Sequence, residues 1–498
     1  MRLLRILLVL AGTVVAATAD TNAPEVRKIS LDDCIQTALE RNLDLQIARL
    51  TVPEALLDLR SAYGGWDPTF DLTGTHQFYS SPGTYNSSIN SIVSSAETDN
   101  NAFNSSLSGT TPWGLQYRLE ASNISESYGS KAGFPFDSSS GSADITMRQH
   151  LLKDFWIDST RMTIQVSKNR VKYTELGLKQ TIMNTVSLIE QAYYDLIAAR
   201  ENVLVQEKAV ELAEQLVSEN KKRVEVGALA PLDEKQAESQ AAKSQADLIT
   251  ARTTLETQEN NFKELLTGDY GKVSRVKFEP TATLTAPTHI FDRQLSWSKG
   301  LEGRPDLLQA RLDVQKQGIT LKYNYNQLFP QLDVLGRYGH NGGSGSEFSD
   351  TLGDISRGTF PEYYYGGELT FPLLNTAPRA TYKKSKLEMQ RLTLTLKKLE
   401  QTIMVVIDND IAMARSGYQG ASATRAAREY ATEALEAEQK KLESGKSTTY
   451  TVLQMQRDLT AARGAEITAL ATYNKALAQL SLDEATILDR LGIKVSLK

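Results

Sequence analysis

The chain has 498 residues with 55 basic and 60 acidic side chains, so its formal net charge is −5 at pH 7. An acidic chain without a basic stripe argues against nucleic acid as a partner, and a single cysteine excludes an internal disulfide. Length alone predicts about three domains, an expectation that an internal repeat changes below.

Residues 1–19 have the features of a secretory signal peptide. Two arginines precede an apolar run from Ile6 to Val15, and small residues stand directly before Asp20. Cleavage there removes both arginines and takes the formal net charge from −5 to −7. No later segment has the roughly 18 continuous apolar residues of a transmembrane helix. The sequence therefore predicts an exported protein.

The single cysteine, Cys34, resembles a lipid-attachment site only superficially. Two aspartates stand directly before it, which does not suit such a signal. Ser30 and Asp33 can instead form a capping box at the start of a helix. We expect Cys34 to be buried in that amphipathic helix.

The chain contains one structural unit twice. Six residues of the first copy recur 262 positions later, and two more recur 218 positions later, so the first copy has 44 extra residues. We predict a first repeat over 20–267, a linker over 268–304 and a second repeat over 305–498. The matching pairs are Asp44 and Asp306, Leu45 and Leu307, Ala48 and Ala310, Arg49 and Arg311, Leu50 and Leu312, Pro68 and Pro330, Arg161 and Arg379, and Gly227 and Gly445.

Each copy begins with a helix that leads into strands. The helices are predicted over 42–65 and 305–328. Apolar and polar residues then alternate with a period of two, over 68–152 in the first copy and 331–374 in the second. A serine- and asparagine-rich segment over 80–108 is predicted as a long loop that leads into an added hairpin.

The strand that begins near Phe70 is expected to pair with a return strand from Ala143 to Arg148. Whether residues 102–125 join the same sheet stays open. One side of each strand is apolar. The residues expected on this side are Phe70, Leu72, Leu332, Val334, Leu369 and Phe371. The run Tyr363–Tyr365 is either an aromatic girdle at a membrane interface or a sign of strand propensity alone.

Two long proline-free segments, 161–226 and 379–444, are predicted as helices. Apolar residues stand seven apart in the first of them, which indicates a supercoiled helix, although a core helix of a large bundle remains an alternative. Its 66 residues would extend about 100 Å. The column is Ile182, Ile189, Leu196, Val203, Val210, Val217 and Val224.

A returning helix follows each long helix, over 232–266 and over 448–491. Gly227 and Gly445 stand at the turns, where positive φ is needed to reverse the chain. We define the first tip as Gly227, Ala228, Leu229, Ala230 and Pro231, and the second tip as Gly445, Lys446, Ser447, Thr448 and Thr449.

Alternating strands in an exported chain without an apolar helix are typical of an outer-membrane β-barrel. An open sheet edge is not viable in lipid, because its N–H and C=O groups find no water there. Four strands, or six with the added hairpin, are too few to enclose an open lumen. The predicted fold class is therefore a membrane α+β protein, with a barrel shared between copies of the chain.

Several segments resemble the TolC family of outer-membrane efflux proteins. They are Ile29 to Asn42, Arg304 to Leu307, Phe371 to Leu374, and Arg223 to Gly227 followed by Asp233. The resemblance implies a homotrimer whose shared barrel in outer-membrane lipid continues into a long periplasmic α-helical coiled-coil barrel. It also implies a periplasmic adaptor protein and an inner-membrane transporter of the RND, ABC or MFS type as partners. The implied function is that of an exit duct for efflux or type I secretion.

The resemblance places both tips at the periplasmic mouth, where the adaptor docks and the duct closes. Asp233 matches a family aspartate of the closed mouth, although an ordinary first-turn acid is the alternative. The second copy departs from the family pattern, because uncharged residues stand where a tyrosine, an arginine and two aspartates are expected. They are Leu442, Ser447, Thr451 and Gln454. A gate would then depend on Asp233, on packing around Leu442, and on hydroxyls and amides.

The sequence gives little support for catalysis, and we expect no cofactor and no metal. The four histidines are scattered without metal-ligand spacing. A glycine- and serine-rich run over 342–346 lacks the lysine of a phosphate-binding loop and is predicted as an extracellular loop. The competing hypothesis is a periplasmic coiled-coil adaptor, which long helical hairpins would also suit.

Overall fold

The computed structural model describes residues 26–88, 90–93, 95–131, 134–227, 229–343 and 345–493. The predicted signal peptide, 1–19, and the tip residue Ala228 lie outside the described residues. The chain divides into two units. The helical unit comprises Met1–Leu43, Leu188–Thr288 and Ala414–Ala478, and the sheet unit comprises Asp44–Ser187, His289–Met413 and Gln479–Lys498.

Helices make up most of the described chain. They are α1 (Leu31–Arg41), α2 (Leu43–Tyr63), α3 (Ser159–Glu225), α4 (Pro231–Leu266), α5 (Tyr270–Val273), α6 (Arg293–Gly303), α7 (Pro305–Asn326), α8 (Phe348–Arg357), α9 (Thr376–Glu443), α10 (Thr449–Asp483) and α11 (Ile487–Arg490). Among the described residues, every helix is either too short or too polar to serve as a membrane span.

Ten strands accompany the helices in the described chain. They are β1 (Val26–Ile29), β2 (Thr69–Ser81), β3 (Thr84–Asn86), β4 (Ser91–Val93), β5 (Ala96–Thr110), β6 (Leu115–Lys131), β7 (Phe134–His150), β8 (Lys277–Pro280), β9 (Gln331–Gly342) and β10 (Phe360–Thr370).

The capping box predicted at the start of α1 is confirmed. Ser30 Oγ accepts a hydrogen bond from the Asp33 backbone N–H at 3.2 Å, and the Asp33 carboxylate accepts in return from the Ser30 backbone N–H. Cys34, one residue further on, is fully buried as expected. Burial and the neighbouring Asp33 raise the pKa of the Cys34 thiol to about 12, so this thiol is a packing residue.

The seven-residue apolar column of α3 is buried over only part of its length. Five of its members, from Ile182 to Val210, are buried, whereas Val217 and Val224 are only partly covered. Ala213, Leu216 and Asn220 are buried in their place towards the end of the helix. A helix with 3.6 residues per turn drifts by about 20° per heptad from a strict seven-residue repeat. The buried stripe therefore changes column near the tip.

A cluster around Tyr193 ties α3 of the helical unit to its short parallel sheet, in which β1 pairs with β8. The Tyr193 hydroxyl donates to the Ile29 carbonyl at 3.3 Å and accepts from the Ala282 N–H at 3.3 Å. The ring lies 6.2 Å from that of Phe262, which in turn lies 6.0 Å from Phe278. Phe278 and Ala282, within the predicted linker, are thereby held against α3 and α4.

The sheet unit contains a six-stranded antiparallel sheet in the order β10-β9-β7-β6-β5-β2. Two expectations are wrong. The segment 80–108 contains a strand, because β5 begins at Ala96 and pairs with all of β2. The strand from Phe70 therefore does not pair with Ala143 to Arg148, since β5 and β6 lie between β2 and β7. The composition of β5 is that of a loop, but its backbone can still form the hydrogen bonds of a strand between two neighbours.

The sheet has one apolar face with a continuous row of side chains. The register joins Phe70 to Leu107, Leu107 to Leu119, Leu119 to Ile145, Ile145 to Tyr338, and Tyr338 to Tyr363, one residue from every strand. Leu332 and Leu369 pair on the same face, and Phe371 lies just beyond the end of β10. Side chains in register across all six strands give this face a continuous apolar surface.

The opposite face is polar and carries ion pairs. Asp333 is fully buried, accepts from Arg148 at 2.9 Å, and lies 2.7 Å from His150. Arg337 bonds to Asp144 at 2.8 Å. These pairs link β7 to β9 in the middle of the sheet.

The connection between β9 and β10 contains α8, which the sequence analysis missed. Ser139 Oγ lies 2.6 Å from Thr351 Oγ1, and the Asp354 carboxylate accepts from the Gly343 N–H at 3.3 Å. The left-handed Gly358, with φ of 69°, ends this helix. The helix is amphipathic, and its buried side packs on β7 and β9.

A buried charge network ties the start of α7 to the end of α10 in the sheet unit. Arg304 donates to Asp306 at 3.0 and 2.8 Å and to Asp483 at 2.5 Å. Gln479 donates to Asp483 at 2.6 Å. Asp410 of α9 is 7% exposed. Its burial, and then the nearby Asp483, raise the pKa of Asp410 to about 7.

This network predicts a pH-dependent stability. Because the pKa of folded Asp410 lies above its ordinary value of 3.8, the folded state binds a proton more tightly than the unfolded state. The protonated Asp410 therefore adds to the free energy of unfolding. This stabilisation is fully present below pH 4 and is lost as the pH rises towards 7, by up to about 1.4 kcal/mol per pH unit. Melting temperatures of the detergent-solubilised chain should fall between pH 5 and pH 7 and level off above pH 7.

The substitution Asp410→Asn should remove this part of the pH dependence, because an amide does not titrate. A matched change at the half-buried Asp408, Asp408→Asn, should leave the slope above pH 5 in place, because the Arg293 hydrogen bond lowers the pKa of Asp408 and this carboxylate is ionised throughout that range. Equal slopes in the wild type and in Asp410→Asn would contradict the assignment.

Candidate functional site

The two tips lie in the helical unit and reverse the chain with the same backbone device. Gly227 has φ of 71° and Gly445 has φ of 70°, as expected from the sequence. A Cβ atom added at either glycine would meet no atom within 4 Å. Glycine is therefore favoured by the left-handed backbone alone, because L-residues with a Cβ resist this region.

The second tip closes the last turn of α9 with two further hydrogen bonds. The Gly445 N–H donates to the Leu442 carbonyl at 3.1 Å, and the Lys446 N–H donates to the Lys441 carbonyl at 2.8 Å. These bonds form the usual C-terminal helix motif with a left-handed residue. Thr448 then caps α10, since its Oγ1 accepts from the Thr451 N–H at 3.3 Å.

Glu438 binds both sides of this second turn. Its carboxylate accepts from Lys441 Nζ at 2.8 Å and from the Ser447 hydroxyl. The Lys441 hydrogen bond, followed by the Ser447 bond, lowers the pKa of Glu438. Ser447 stands where the family resemblance leads one to expect a charge, and here it holds a carboxylate of its own chain.

A hydrophobic cluster lies directly below the second tip. Leu442 is 8% exposed and packs with residues of α3 and α10. The other buried members of this cluster are Leu216, Leu435, Val452, Leu453 and Leu459. The predicted packing around Leu442 therefore exists within one chain, and it joins three helices of the helical unit.

The remaining gate candidates lie on two helices, Asp233 on α4 and both Thr451 and Gln454 on α10. Asp233 is in the first turn of α4, where its backbone N–H donates to the Ala230 carbonyl at 3.0 Å. Thr451 lies 2.9 Å from the Thr448 hydroxyl. Gln454 donates to Asp458 at 3.1 Å and accepts from Arg457 at 2.9 Å. Among the described residues, no hydrogen bond joins Asp233 to Thr451 or Gln454.

Asn220 is a residue of the tip that the sequence analysis missed. It is fully buried, and its Nδ2 donates to the Asp233 backbone carbonyl at 3.4 Å across the first tip. Its Oδ1 has no hydrogen-bond partner among the described residues. No clear signal in the sequence marks it, because the loss of burial from Val217 onwards is a property of the folded helices.

Exposed apolar side chains surround both tips. Val226, Leu232 and Tyr450 are 79%, 67% and 60% exposed. Leu232 and Tyr450 line a groove of about 360 Å³ between α4 and α10, here the tip groove. Its other lining residues are Lys235, Gln236, Ser239, Gln240, Leu453 and Arg457. The groove thus combines three apolar or aromatic side chains with five polar ones, and exposed apolar side chains among polar neighbours are typical of protein-binding sites.

Comparison with known proteins gives consistent matches. A model of the outer membrane efflux protein family matches residues 113–268 and 297–482. The outer membrane efflux protein BepC of Brucella suis is 22% identical over 370 residues, which cover 72% of this chain and 75% of BepC.

Solved structures share the fold. The CmeC outer membrane channel of Campylobacter jejuni aligns with a TM-score of 0.66 at 14% identity, over 92% of this chain and 86% of CmeC. The outer membrane protein VceC of Vibrio cholerae aligns with a TM-score of 0.66 at 16% identity, over 94% of this chain and 97% of VceC.

The geometry of the tips predicts the effect of changing their glycines. Gly445→Ala should destabilise the last turn of α9 by about 1 kcal/mol, because a residue with a Cβ resists positive φ. Hydrogen exchange of the tip amides should then be about fivefold faster. Gly445→Asn should have a smaller effect, since asparagine tolerates this region.

Gly420 in the middle of α9 is a matched control, because a Cβ added there also meets no atom within 4 Å. Gly420→Ala should slow exchange or leave it unchanged, since alanine favours a helix. Faster exchange in Gly420→Ala to the same degree as in Gly445→Ala would contradict the role of φ.

Proposed function

This chain belongs to the outer membrane efflux protein family, and we propose how it acts as the exit duct of an efflux system in the outer membrane. Three copies share one barrel, and the barrel conducts substrates passively. The observation that carries this proposal is the six-stranded sheet, which has a continuous apolar row and two outer edges. No described strand pairs with the free edge of β2 or of β10.

The sheet supports a shared barrel on energetic grounds. Each unpaired N–H or C=O group in hydrocarbon costs several kcal/mol, so an edge strand in lipid has to be paired. A second copy of the chain supplies a complementary edge. The apolar row would then face lipid and the polar face, with Asp333 and Arg337, would line a water-filled lumen.

The tips support contact with a periplasmic adaptor protein. Val226, Leu232 and Tyr450 are exposed where both helical hairpins reverse. Such side chains are stabilised when a partner covers them. Through the adaptor the duct would receive substrate from an inner-membrane transporter of the RND, ABC or MFS type, which supplies the energy. Type I secretion would use the same arrangement.

We further propose that the mouth is gated by its own packing. The cluster around Leu442 would hold α3, α9 and α10 together, and Thr451 and Gln454 would contribute uncharged hydrogen-bonding groups at the mouth. Asp233 would add charge from the first tip. Because the cluster joins all three helices, opening the mouth would either separate α10 from α3 and α9 or move the three helices together.

An internal duplication accounts for the order of the elements. Each half has a helix that leads into strands, a helix of 67 or 68 residues, a glycine turn and a returning helix of 36 or 35 residues. The sheet also argues against the competing hypothesis of a periplasmic adaptor. A six-stranded sheet with an exposed apolar row would be unfavourable on a protein surrounded by water.

The duct and the adaptor differ in how they behave on a gel. An outer-membrane barrel keeps its strands paired in detergent at room temperature and unfolds on boiling, because its ladder is closed. We expect unboiled and boiled samples of the outer-membrane fraction to migrate differently. Identical migration, with the protein recovered from the soluble periplasmic fraction, would exclude the duct.

Removing the first tip should separate docking from assembly. Deletion of residues 228–231 shortens the turn before α4, and we expect loss of efflux while the amount of trimer in the outer membrane stays the same. A milder variant, Leu232→Glu with Tyr450→Glu, places charges in the tip groove and should lower efflux at least tenfold.

The control is Ile249→Glu, which introduces the same charge at an exposed apolar residue of α4 away from the tip. It should retain efflux. Full efflux by the deletion variant, at unchanged protein levels, would refute the docking role.

A further inference from the structure

The hairpin of β5 and β6 lies inside the sheet and not above it. β5 pairs with β2 over thirteen residues of register, from Ala96 to Ser108, and β6 pairs with β7 on its other side. The hairpin therefore separates β2 from β7. Its strands are 15 and 17 residues long, whereas about 9–11 residues suffice to cross a membrane as a tilted strand.

The hairpin also continues both faces of the sheet. Leu107 and Leu119 belong to the apolar row. On the polar face, Asp71 of β2 pairs with Ser106, and Ser106 pairs with Glu120 of β6. A strand pair that folded above the membrane would not need apolar side chains in register with those of its neighbours.

The turn between β5 and β6 lies at the same end of the sheet as the end of β7, from which the chain continues into α3. Thr110 pairs with Gln116 beside this tight turn, and Leu115 pairs with Gln149 at the end of β7. The turn is closed by the Gly114 N–H, which donates to the Thr111 carbonyl at 2.9 Å, and by Gly114 at φ of 89°. Short turns at one end are typical of transmembrane barrels.

Strand direction permits the ends of the sheet to meet. All five neighbouring pairs are antiparallel, so the six strands alternate and β2 runs opposite to β10. β2 of one copy can thus continue the antiparallel pattern against β10 of the next. The β2 sequence also lacks the proline, lysine and arginine residues that usually protect an exposed edge.

We propose that each copy contributes all six strands to the wall, that β2 pairs with β10 of the next copy, and that the trimer forms an 18-stranded barrel. This inference rests on the shared barrel proposed above. Diameter grows roughly linearly with strand number, and barrels of 16–18 strands enclose an open aqueous channel. The lumen then accommodates bulky hydrated cargo, and selection by size falls to the helical part of the duct.

Disulfide cross-linking tests the contact between copies. The native Cys34 is fully buried and gives no background. Thr73→Cys in β2 is combined in turn with Glu362→Cys, Tyr364→Cys and Glu368→Cys in β10, all on the polar face. One combination should give a ladder that ends at the trimer on a non-reducing gel.

Ser106→Cys in β5 is the control, combined with the same β10 positions, and it should give no ladder. A ladder with Ser106→Cys and none with Thr73→Cys would place β2 outside the wall and overturn the inference, while leaving a shared barrel intact. No ladder with either, together with a monomer in detergent, would instead overturn the shared barrel itself.

Deletion of residues 96–131 tests the width. The direction of the strands permits β2 to pair with β7 directly in this variant, which leaves four strands per copy. Electron microscopy of the trimer in lipid nanodiscs should show a barrel diameter smaller by about one third. If the deletion variant does not assemble, the diameter of the wild-type barrel tests the proposed strand number, because an 18-stranded barrel should be as wide as a porin. A wild-type barrel narrower than a 16-stranded porin would contradict the proposal.

Discussion

The hydrogen-bonding groups along the free edges of β2 and β10 impose the constraint on which the rest of the architecture depends. In water such an edge is a liability, but in hydrocarbon it is not viable. The six strands of one chain carry an apolar row on one face and a polar, ion-paired face on the other, so they suit a wall between lipid and water. The described strands of one chain form an open sheet, and in the proposed duct other copies would pair with its two free edges.

The helical unit satisfies its backbone in a different way. Its helices bond internally, so only their ends need special residues, and Gly227 and Gly445 supply the positive φ that reverses the chain. Below these turns the cluster around Leu442 joins α3, α9 and α10. Apolar residues that find no place in this cluster, such as Leu232 and Tyr450, are exposed at the tips. The tips therefore combine a packed cluster with exposed apolar side chains, which is the combination that the proposed docking role needs.

The charged groups at the second tip are bound differently from those inside the sheet unit. Near the second tip, Thr448, Thr451 and Gln454 are uncharged, although the family resemblance leads one to expect charged residues in this region. The carboxylate of Glu438 beside the tip accepts hydrogen bonds from Ser447 and Lys441. The sheet unit instead holds Asp333 between Arg148 and His150, and Asp483 between Arg304 and Gln479. Ion pairs of this kind need buried surroundings to contribute, because exposed pairs are worth little.

Local patterns were enough to predict much of this protein from its sequence. The capping box at Ser30, the burial of Cys34 and the positive φ of both tip glycines depend on a few neighbouring residues, and each is confirmed. The family resemblance and the role as an outer-membrane efflux duct were also available, because the motifs that carry them are short and contiguous. Alternation of period two correctly gave the apolar face of Phe70 and Leu72.

Long-range pairing was decided only by the tertiary structure. Serine and asparagine in β5 resemble a loop until a neighbouring ladder is present. The sequence pattern therefore predicted that β2 pairs with β7, whereas β5 and β6 lie between these two strands. Val217 and Val224 are only partly covered for another reason, since an α-helix drifts from a strict seven-residue repeat and other residues occupy the buried positions near the tip. Asn220 became visible only when the first tip folded back over it. The hydrophobic period can be read from a single segment of the sequence. Strand pairing and side-chain burial depend on other segments, which only the tertiary structure brings next to it.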